Sequence, residues 1–486
     1  MTQDNNEGKS QDEVVNAPDS NPSCGELAAI SRCRINELLP NELLADIFAT
    51  AMIDFLPEDH RSFLALVCSI CRRWRGVAIE ASDLWTTIYL HDPKDIPAAE
   101  LFLERSKTQL LDVYVQVGLG FEDFSYDGLD VSGQSVRRVA ELMSTHLHRT
   151  RTLSLSVSNF EGAENFPTLY RPMSAPHLVS LSINIRDIPP FLDSICSFSS
   201  DGRDGLYSNR TSISSLTRLE LIISARLEYE ELQSVFTSFP SLETLILPRF
   251  NGLGKQHGKD RPIMLAPSSL RSLAVHLKYI HSHSYAGNSS HCSCVLGSVH
   301  FQNLEYLEVL GEKSSQNLNL SSHFKDLSKL KTLRLQRCYV PSLDDDFFRS
   351  LNLLNHLELV DNLSHVEWFT ESLPTKATLL FPHLSSISLS DDSGESHDMS
   401  QWARLARLAV QNAGCTQFSV KVTAQHLLSM TRALSPQDEG IRVEIEDYHP
   451  LLRLLPPGLS VDWSDDDDDY WNIDHASDFD GYTSSD

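Results

Sequence analysis

Two rhythms of apolar residues divide the chain. From residue 34 to about 90, apolar positions recur every three or four residues, the period of a helix that buries one face. In "INELLPNELLADIFATAM", Leu43, Leu44, Ile47 and Phe48 share a stripe, and Pro40 stands in a first turn, where its missing N–H is no loss. A loop with its own proline, "DFLPEDHRS", follows. Phe63, Leu66, Val67, Ile70, Trp74 and Val77 then form a second stripe, with Arg72, Arg73 and Arg75 off it as a solvated flank. Leu84 and Trp85 would cap this small core. A unit of about 55 residues buries too little surface to be very stable alone, so its stripes call for a partner within or outside the chain.

From about residue 98 to 460 the rhythm changes to apolar residues at i, i+3 and i+5. The copies begin at Leu178, Leu216, Leu242, Leu270, Leu304, Leu330, Leu354 and Leu384, between 24 and 38 residues apart. "RTLSLSV" near Leu153 is a degenerate earlier copy, "LLDVYVQV" from Leu110 an opening strand and "IRVEIE" from Ile441 a closing one. The spacing predicts one short strand per copy, with i+3 and i+5 on the inward face and the polar i+4 residue on the other. Prolines just ahead of several copies suit a strand's first residue, which needs no ladder N–H. "LEYEELQSVFTSF" reads as an amphipathic helix between strands. Stacked strand–helix units of this kind resemble leucine-rich repeats of irregular length. The Asn or Cys expected after the second strand leucine is mostly missing; Cys338 is an exception.

Charge narrows the function. Acidic residues outnumber basic ones 66 to 40, a formal net charge of −26, which opposes a phosphate backbone. The one dense basic cluster is Arg72, Arg73 and Arg75, a small footprint for nucleic acid, so no nucleic-acid partner is expected. Residues 1–33 are polar, and residues 461–486 hold ten aspartates and no Lys or Arg; both segments read as disordered. The N-terminus lacks the basic and apolar regions of a signal peptide, and no apolar run is long enough to span a membrane, so a cytoplasmic or nuclear location is expected. The nine cysteines then read as free thiols.

The helical zone resembles an F-box. The family pattern falls on Leu39, Pro40, Glu42, Leu43, Leu44, Ile47 and Phe48, then Ile70, Cys71, Arg72, Arg73 and Trp74, then Leu84 and Trp85. It departs in a longer segment between helices and in Ile70 where valine is usual. With "LERSKTQLLDVYVQV" and the repeats behind it, the layout is similar to F-box proteins of mushroom-forming fungi. The resemblance implies an α/β chain: a trihelical F-box at 34–90, then a leucine-rich-repeat solenoid at 98–460 with parallel strands inside the curve and helices outside. It also implies that Leu39, Pro40, Leu43, Leu44, Ile47, Phe48, Ile70, Trp74, Leu84 and Trp85 serve docking on a Skp-family adaptor. That adaptor would link the chain to a cullin ubiquitin ligase, with the repeats selecting an unknown protein substrate. Leu43, Leu44 and Ile47 would supply apolar contact, Trp74 would hold the second helix, and Leu84 and Trp85 would close the edge.

No nucleotide loop, nucleophile elbow, zincin motif or dinucleotide fingerprint is present in the sequence, so no enzyme activity and no cofactor are expected. Cys68 and Cys71 have C-x-x-C spacing but no second pair, and read as helix packing. His281, His283, His291, Cys292 and Cys294 lie in a long polar insertion that reads as a flexible loop rather than a metal site. Substrate candidates are strand residues pointing away from the core: Tyr306, Glu308, Arg334, His356 and Glu358, with Tyr306 and Arg334 as anchors. An ordinary solvated face explains the same residues. A leucine-rich-repeat scaffold with no ubiquitin link, or a factor binding basic proteins through the acidic tail, are the alternatives.

Overall fold

The computed structural model describes residues 38–446, with interruptions, and Leu454. Residues 1–37, 118–130, 158–174, 186–213, 252–261, 279–294, 312–319, 339–346, 362–381, 391–398, 447–453 and 455–486 lie outside the described residues, as do a few shorter gaps. The polar N-terminal segment, the 461–486 tail and the 281–294 loop fall there.

Three helices open the described chain. α1 (Asn41–Met52) follows Pro40, whose carbonyl accepts the Leu44 N–H at 3.1 Å. α2 (His60–Ile70) starts after a 3-10 turn at Pro57–Asp59. α3 (Arg72–Glu80) begins where Cys71 turns extended, at φ −157°; the Cys71 Sγ accepts the Trp74 N–H at 3.4 Å, so Cys71 both separates the helices and caps the second. The 3.6-residue period sends Leu44 and Phe48 inward to meet Leu64, Val67 and Val77. Trp74 sets its ring 5.0 Å from that of Phe48.

A sheet follows. Its strands, with the helices between them, are β1 (Thr87–Leu90), α4 (Ile96–Arg105), β2 (Leu111–Val117), α5 (Val131–Ser144), β3 (Thr150–Val157), β4 (Ser180–Ile185), β5 (Arg218–Ile223), α6 (Tyr229–Ser238) and β6 (Thr244–Asn251). They continue as β7 (Met264–Leu265), β8 (Ser272–Lys278), β9 (Val299–His300), β10 (Tyr306–Leu310), β11 (Thr332–Gln336), β12 (His356–Val360) and β13 (Ser386–Ser390). α7 (Ser400–Ala413), β14 (Phe418–Val422), α8 (Ala424–Ala433) and β15 (Ile441–Ile445) complete the set. Among the described residues, all strands but β7 and β9 form one thirteen-stranded sheet whose order follows the chain, every neighbouring pair parallel. β7 and β9 pair separately, also in parallel.

All eight apolar copies are strands in register. The i+3 residues Leu273, Leu307, Leu333, Leu357 and Ile387 lie side by side, as do the i+5 residues Val275, Val309, Leu335, Leu359 and Leu389, and all are buried. Each such side chain is worth about 1.5–3 kcal/mol, and stacking like on like lets one pattern build the whole layer. Pro248 interrupts β6, and the register to β8 shifts between Leu247 and Phe250, as expected where a ladder N–H is lost.

Two strands of the thirteen-stranded sheet were not foreseen. β1 pairs Ile88 with Val113, so Trp85 occupies the leading i position of a first unit, "WTTIYL". The helical unit and the sheet therefore share a residue, where the sequence reading left a gap between two domains. In β14, Gln417 takes the place of the leading leucine. Among the described residues, 3-10 turns stand at Val295–Ser298 ahead of β9 and at Leu320–Ser322 ahead of β11.

The exits of central strands are tight. Arg337 and Asp361, which follow β11 and β12, adopt φ values of 51° and 53°. Gly311, at the same place after β10, has no room for a side chain, because a Cβ would stand 2.5 Å from the Arg337 carbonyl oxygen. Arg337 Nε and Asp361 Oδ2 pair at 3.1 Å across the two turns. Cys338 is buried beneath them, its Sγ 3.3 Å from the Val309 carbonyl oxygen, and burial pushes its thiol up to about 12.

Candidate functional site

Arg72 and Arg75 are exposed, as a solvated flank would be, and Arg73 is half-buried; Arg73 and Arg75 also act as clamps. Arg73 reaches from α3 to the start of α1: its Nε and Nη2 donate to Asn41 Oδ1 at 3.1 and 2.9 Å, and Nη2 also donates to the Leu39 carbonyl. Arg75 Nε donates to the Cys68 carbonyl at 2.8 Å, satisfying an end carbonyl of α2. These bonds fix the angle between helices and hold Leu39 and Pro40 at the head of α1.

The ten candidate docking residues separate into two groups. Leu43 (48% exposed), Ile47 (50%), Ile70 (51%) and Pro40 face solvent. Leu44, Phe48, Leu84 and Trp85 are buried, and Leu39 and Trp74 are partly buried against the same core. The expectation that Leu44 joins an outer apolar contact is corrected. One residue along α1 turns the side chain by about 100°, so Leu43 and Ile47 share the outer face while Leu44 and Phe48 share the inner one. Leu38, Ile53 and Phe55, which were not among the candidates, are exposed as well, and so is Leu66, which the stripe reading grouped with the buried Val67 and Val77. The spacing of Leu66 and Ile70, i and i+4, was the available signal.

Leu84 and Trp85 form a joint, not the rim of an interface. Trp85 Nε1 donates to the Ala78 carbonyl at 2.7 Å. Its ring meets Phe102 of α4 edge-on at 4.9 Å, and the Arg105 guanidinium stacks 4.3 Å over it. Arg61 and Asp95 pair at 2.8 Å nearby. Beside this joint lies a cleft of about 310 Å³ lined by Glu58, Arg61, Tyr89 and Phe102. Burial, then the Glu58 carboxylate, push the Tyr89 phenol up to about 12; it stays protonated at neutral pH and donates to Gln116 Oε1 at 2.8 Å.

On the sheet face opposite the apolar layer, i+4 residues form one row across the strands. Register places Glu220, Ile246, Ala274, Glu308, Arg334, Glu358 and Ser388 side by side on β5, β6, β8 and β10–β13. The sequence reading set Glu308, Arg334 and Glu358 in the open. They are fully buried, at 0%, 0% and 1% exposure, which corrects that expectation. Tyr306 and His356, two positions earlier on their strands, stay half-buried.

Arg334 sits between two carboxylates, its Nη1 donating to Glu308 Oε1 and its Nε to Glu358 Oε1 at 3.0 Å. The Tyr306 hydroxyl adds a bond to Glu308 Oε2 at 3.3 Å, and His356 Nδ1 lies 2.7 Å from Ser386 Oγ. Taking three charges from water is costly, and mutual pairing on adjacent strands offsets it. Farther along, burial pushes the Glu220 carboxyl above its ordinary value against the opposing pull of Ser182 and Arg218.

The chain itself contacts this row. Leu454, from beyond the last strand, packs on Ile246, Ala274 and Leu310. Its N–H donates to Glu308 Oε2 at 3.4 Å, and its carbonyl accepts from Arg218 Nη2. Glu446, just after β15, is tied to the same face by Ser388 Oγ at 2.9 Å and by Lys421 Nζ at 3.6 Å.

Among the described residues no three His, Cys, Asp or Glu side chains stand close enough to hold a metal ion, and no helix is long and apolar enough to cross a membrane. Cys68 and Cys71 are free thiols. The chain matches the family model described as F-box-like over residues 37–91, the span of α1 to β1. A search of curated proteins finds no match to this chain.

Proposed function

We propose that the chain is the substrate-recognition subunit of a Skp–cullin–F-box ubiquitin ligase. In this reading the α1–α3 unit docks a Skp-family adaptor, and through it a cullin. The sheet, as an irregular leucine-rich-repeat solenoid, receives a protein substrate. The chain performs no chemical step; ubiquitin transfer belongs to other subunits.

The observation that carries the reading is the outer face of α1 and α2, inside the F-box-like match. Leu43, Ile47, Leu66 and Ile70 are each about half exposed or more although their helices are well packed inside. F-box units dock adaptors through such residues, and large apolar side chains are the usual interface anchors.

The test is capture of the host's Skp-family protein by the full chain. Leu43→Asp combined with Ile47→Asp should lower affinity by about thirtyfold or more, the worth of about 2 kcal/mol, and leave the unfolding midpoint unchanged. If the wild type captures no adaptor at micromolar concentration, the ligase reading fails and a scaffold without a ubiquitin link replaces it.

A further inference from the structure

Leu454 is held in a way that resembles recognition more than packing. Its side chain, its N–H and its carbonyl each have a separate partner: an apolar socket of Ile246, Ala274 and Leu310, the Glu308 carboxylate, and the Arg218 guanidinium. Arg218 belongs to β5 and Glu308 to β10, with β6 and β8 between them. Three inter-strand steps are roughly 14 Å, a gap that one residue and two long side chains span. The N–H of Leu454 faces β10 and its carbonyl faces β5. At Leu454 the backbone therefore crosses the strands.

Two features set this seat apart from ordinary core. Its recognition groups are charged, and one is wholly buried: Glu308 at 0% exposure. Both act on main-chain atoms, which every peptide has, and the socket alone reads a side chain. A site that reads backbone at two points and one aliphatic side chain suits a peptide that carries leucine in a turn, as Leu454 does.

We propose that this seat is a peptide-binding site, occupied at rest by the chain's own Leu454 and taken over by a leucine-bearing turn of a partner protein. The inference rests on reading the sheet as the substrate-receiving part. Own segment and partner compete for one socket, so the resting contact sets a threshold: only a peptide that outbids an intramolecular neighbour is captured.

The probe is a fluorescent peptide of residues 447–460 of this chain, and the protein is the full chain. Leu454→Asp should empty the socket and raise the affinity for the probe by about tenfold or more over the wild type. Arg218→Met added to Leu454→Asp should remove that gain, and a probe with aspartate at the leucine position should bind about tenfold more weakly. Equal binding by wild type and Leu454→Asp overturns the proposal. So does loss of cooperative unfolding in both Leu454→Asp and the milder Leu454→Ala, because Leu454 is then a fold-holding contact. Adaptor capture is measured on the same proteins. Capture without peptide exchange sinks the seat alone; exchange without capture sinks the ligase reading and leaves the seat.

Discussion

The outer face of α1 and α2 and the i+4 row of the sheet invert the usual distribution of side chains. On the helices, leucine and isoleucine stand in water; on the sheet, Glu308, Arg334 and Glu358 are shut away from it. Both arrangements cost free energy in the isolated chain, and each points to a contact. The apolar face lacks one, because among the described residues about half of Leu43 and of Ile47 stays exposed. The charged row has found its own, through pairing within the row and through Leu454. An unmet cost marks where a partner is needed, and a met one marks where a partner must compete.

The largest effect is predicted in the charged row. Arg334→Met leaves Glu308 and Glu358 buried without their shared cation and should cost about 3–5 kcal/mol in denaturant unfolding. Replacing all three together, Glu308→Leu with Arg334→Met and Glu358→Leu, should recover most of the loss. If the triple variant is as unstable as the single one, ion pairing is not what holds the row.

Neighbours on α1 give the next contrast. Leu44→Ala should lower stability by about 2–5 kcal/mol through a cavity in the small core. Leu43→Ala, one residue away, should leave the unfolding curve in place and weaken adaptor capture instead. Equal stability losses would mean that the two faces are not distinct.

Arg73→Ala, which frees the head of α1, should lose about 1–2 kcal/mol of stability and weaken adaptor capture as Leu39 and Pro40 are released. A capture curve that does not move would detach the clamp from the docking face.

The smallest effect is pH-dependent. The folded value of Glu220 lies above its ordinary one near 4.5, so the fold favours the protonated acid. The penalty on the charged form is therefore absent below pH 4.5 and grows as pH rises through the folded value. Glu220→Gln should be more stable than wild type at pH 7 and equal to it at pH 4, as unfolding midpoints at the two pH values would show.

Much of this fold could be read from spacing. The i, i+3, i+5 rhythm located eight strands and their inward faces, because one geometric unit repeated on itself imposes one sequence period. β14 escaped because Gln417 replaces its leading leucine, and β1 because its leading residue is a tryptophan already assigned to the helical unit. The helical stripe was legible as a stripe, but not which of Leu43 and Leu44 faced out, since both lie within an apolar arc wider than the core needs. The role of Arg73 was illegible: its partners, Leu39 and Asn41, are 34 and 32 residues away and offer a carbonyl and an amide, which leave no pattern. Least visible was the closing of the polar row. A leucine 236 residues beyond Arg218 in a chain full of leucines carries no mark of its destination.

The order of strands has a consequence for synthesis. In the thirteen-stranded sheet each strand lies beside the one made just before it, so an emerging chain can extend its ladder without waiting for a distant segment. Leu454 is the exception, since it follows Glu308 by 146 residues. At ribosomal speeds of about 5–20 residues per second, roughly 7–30 s separate the two. For that interval the residues of the seat stand without Leu454, and the newborn chain meets its surroundings before it meets this residue.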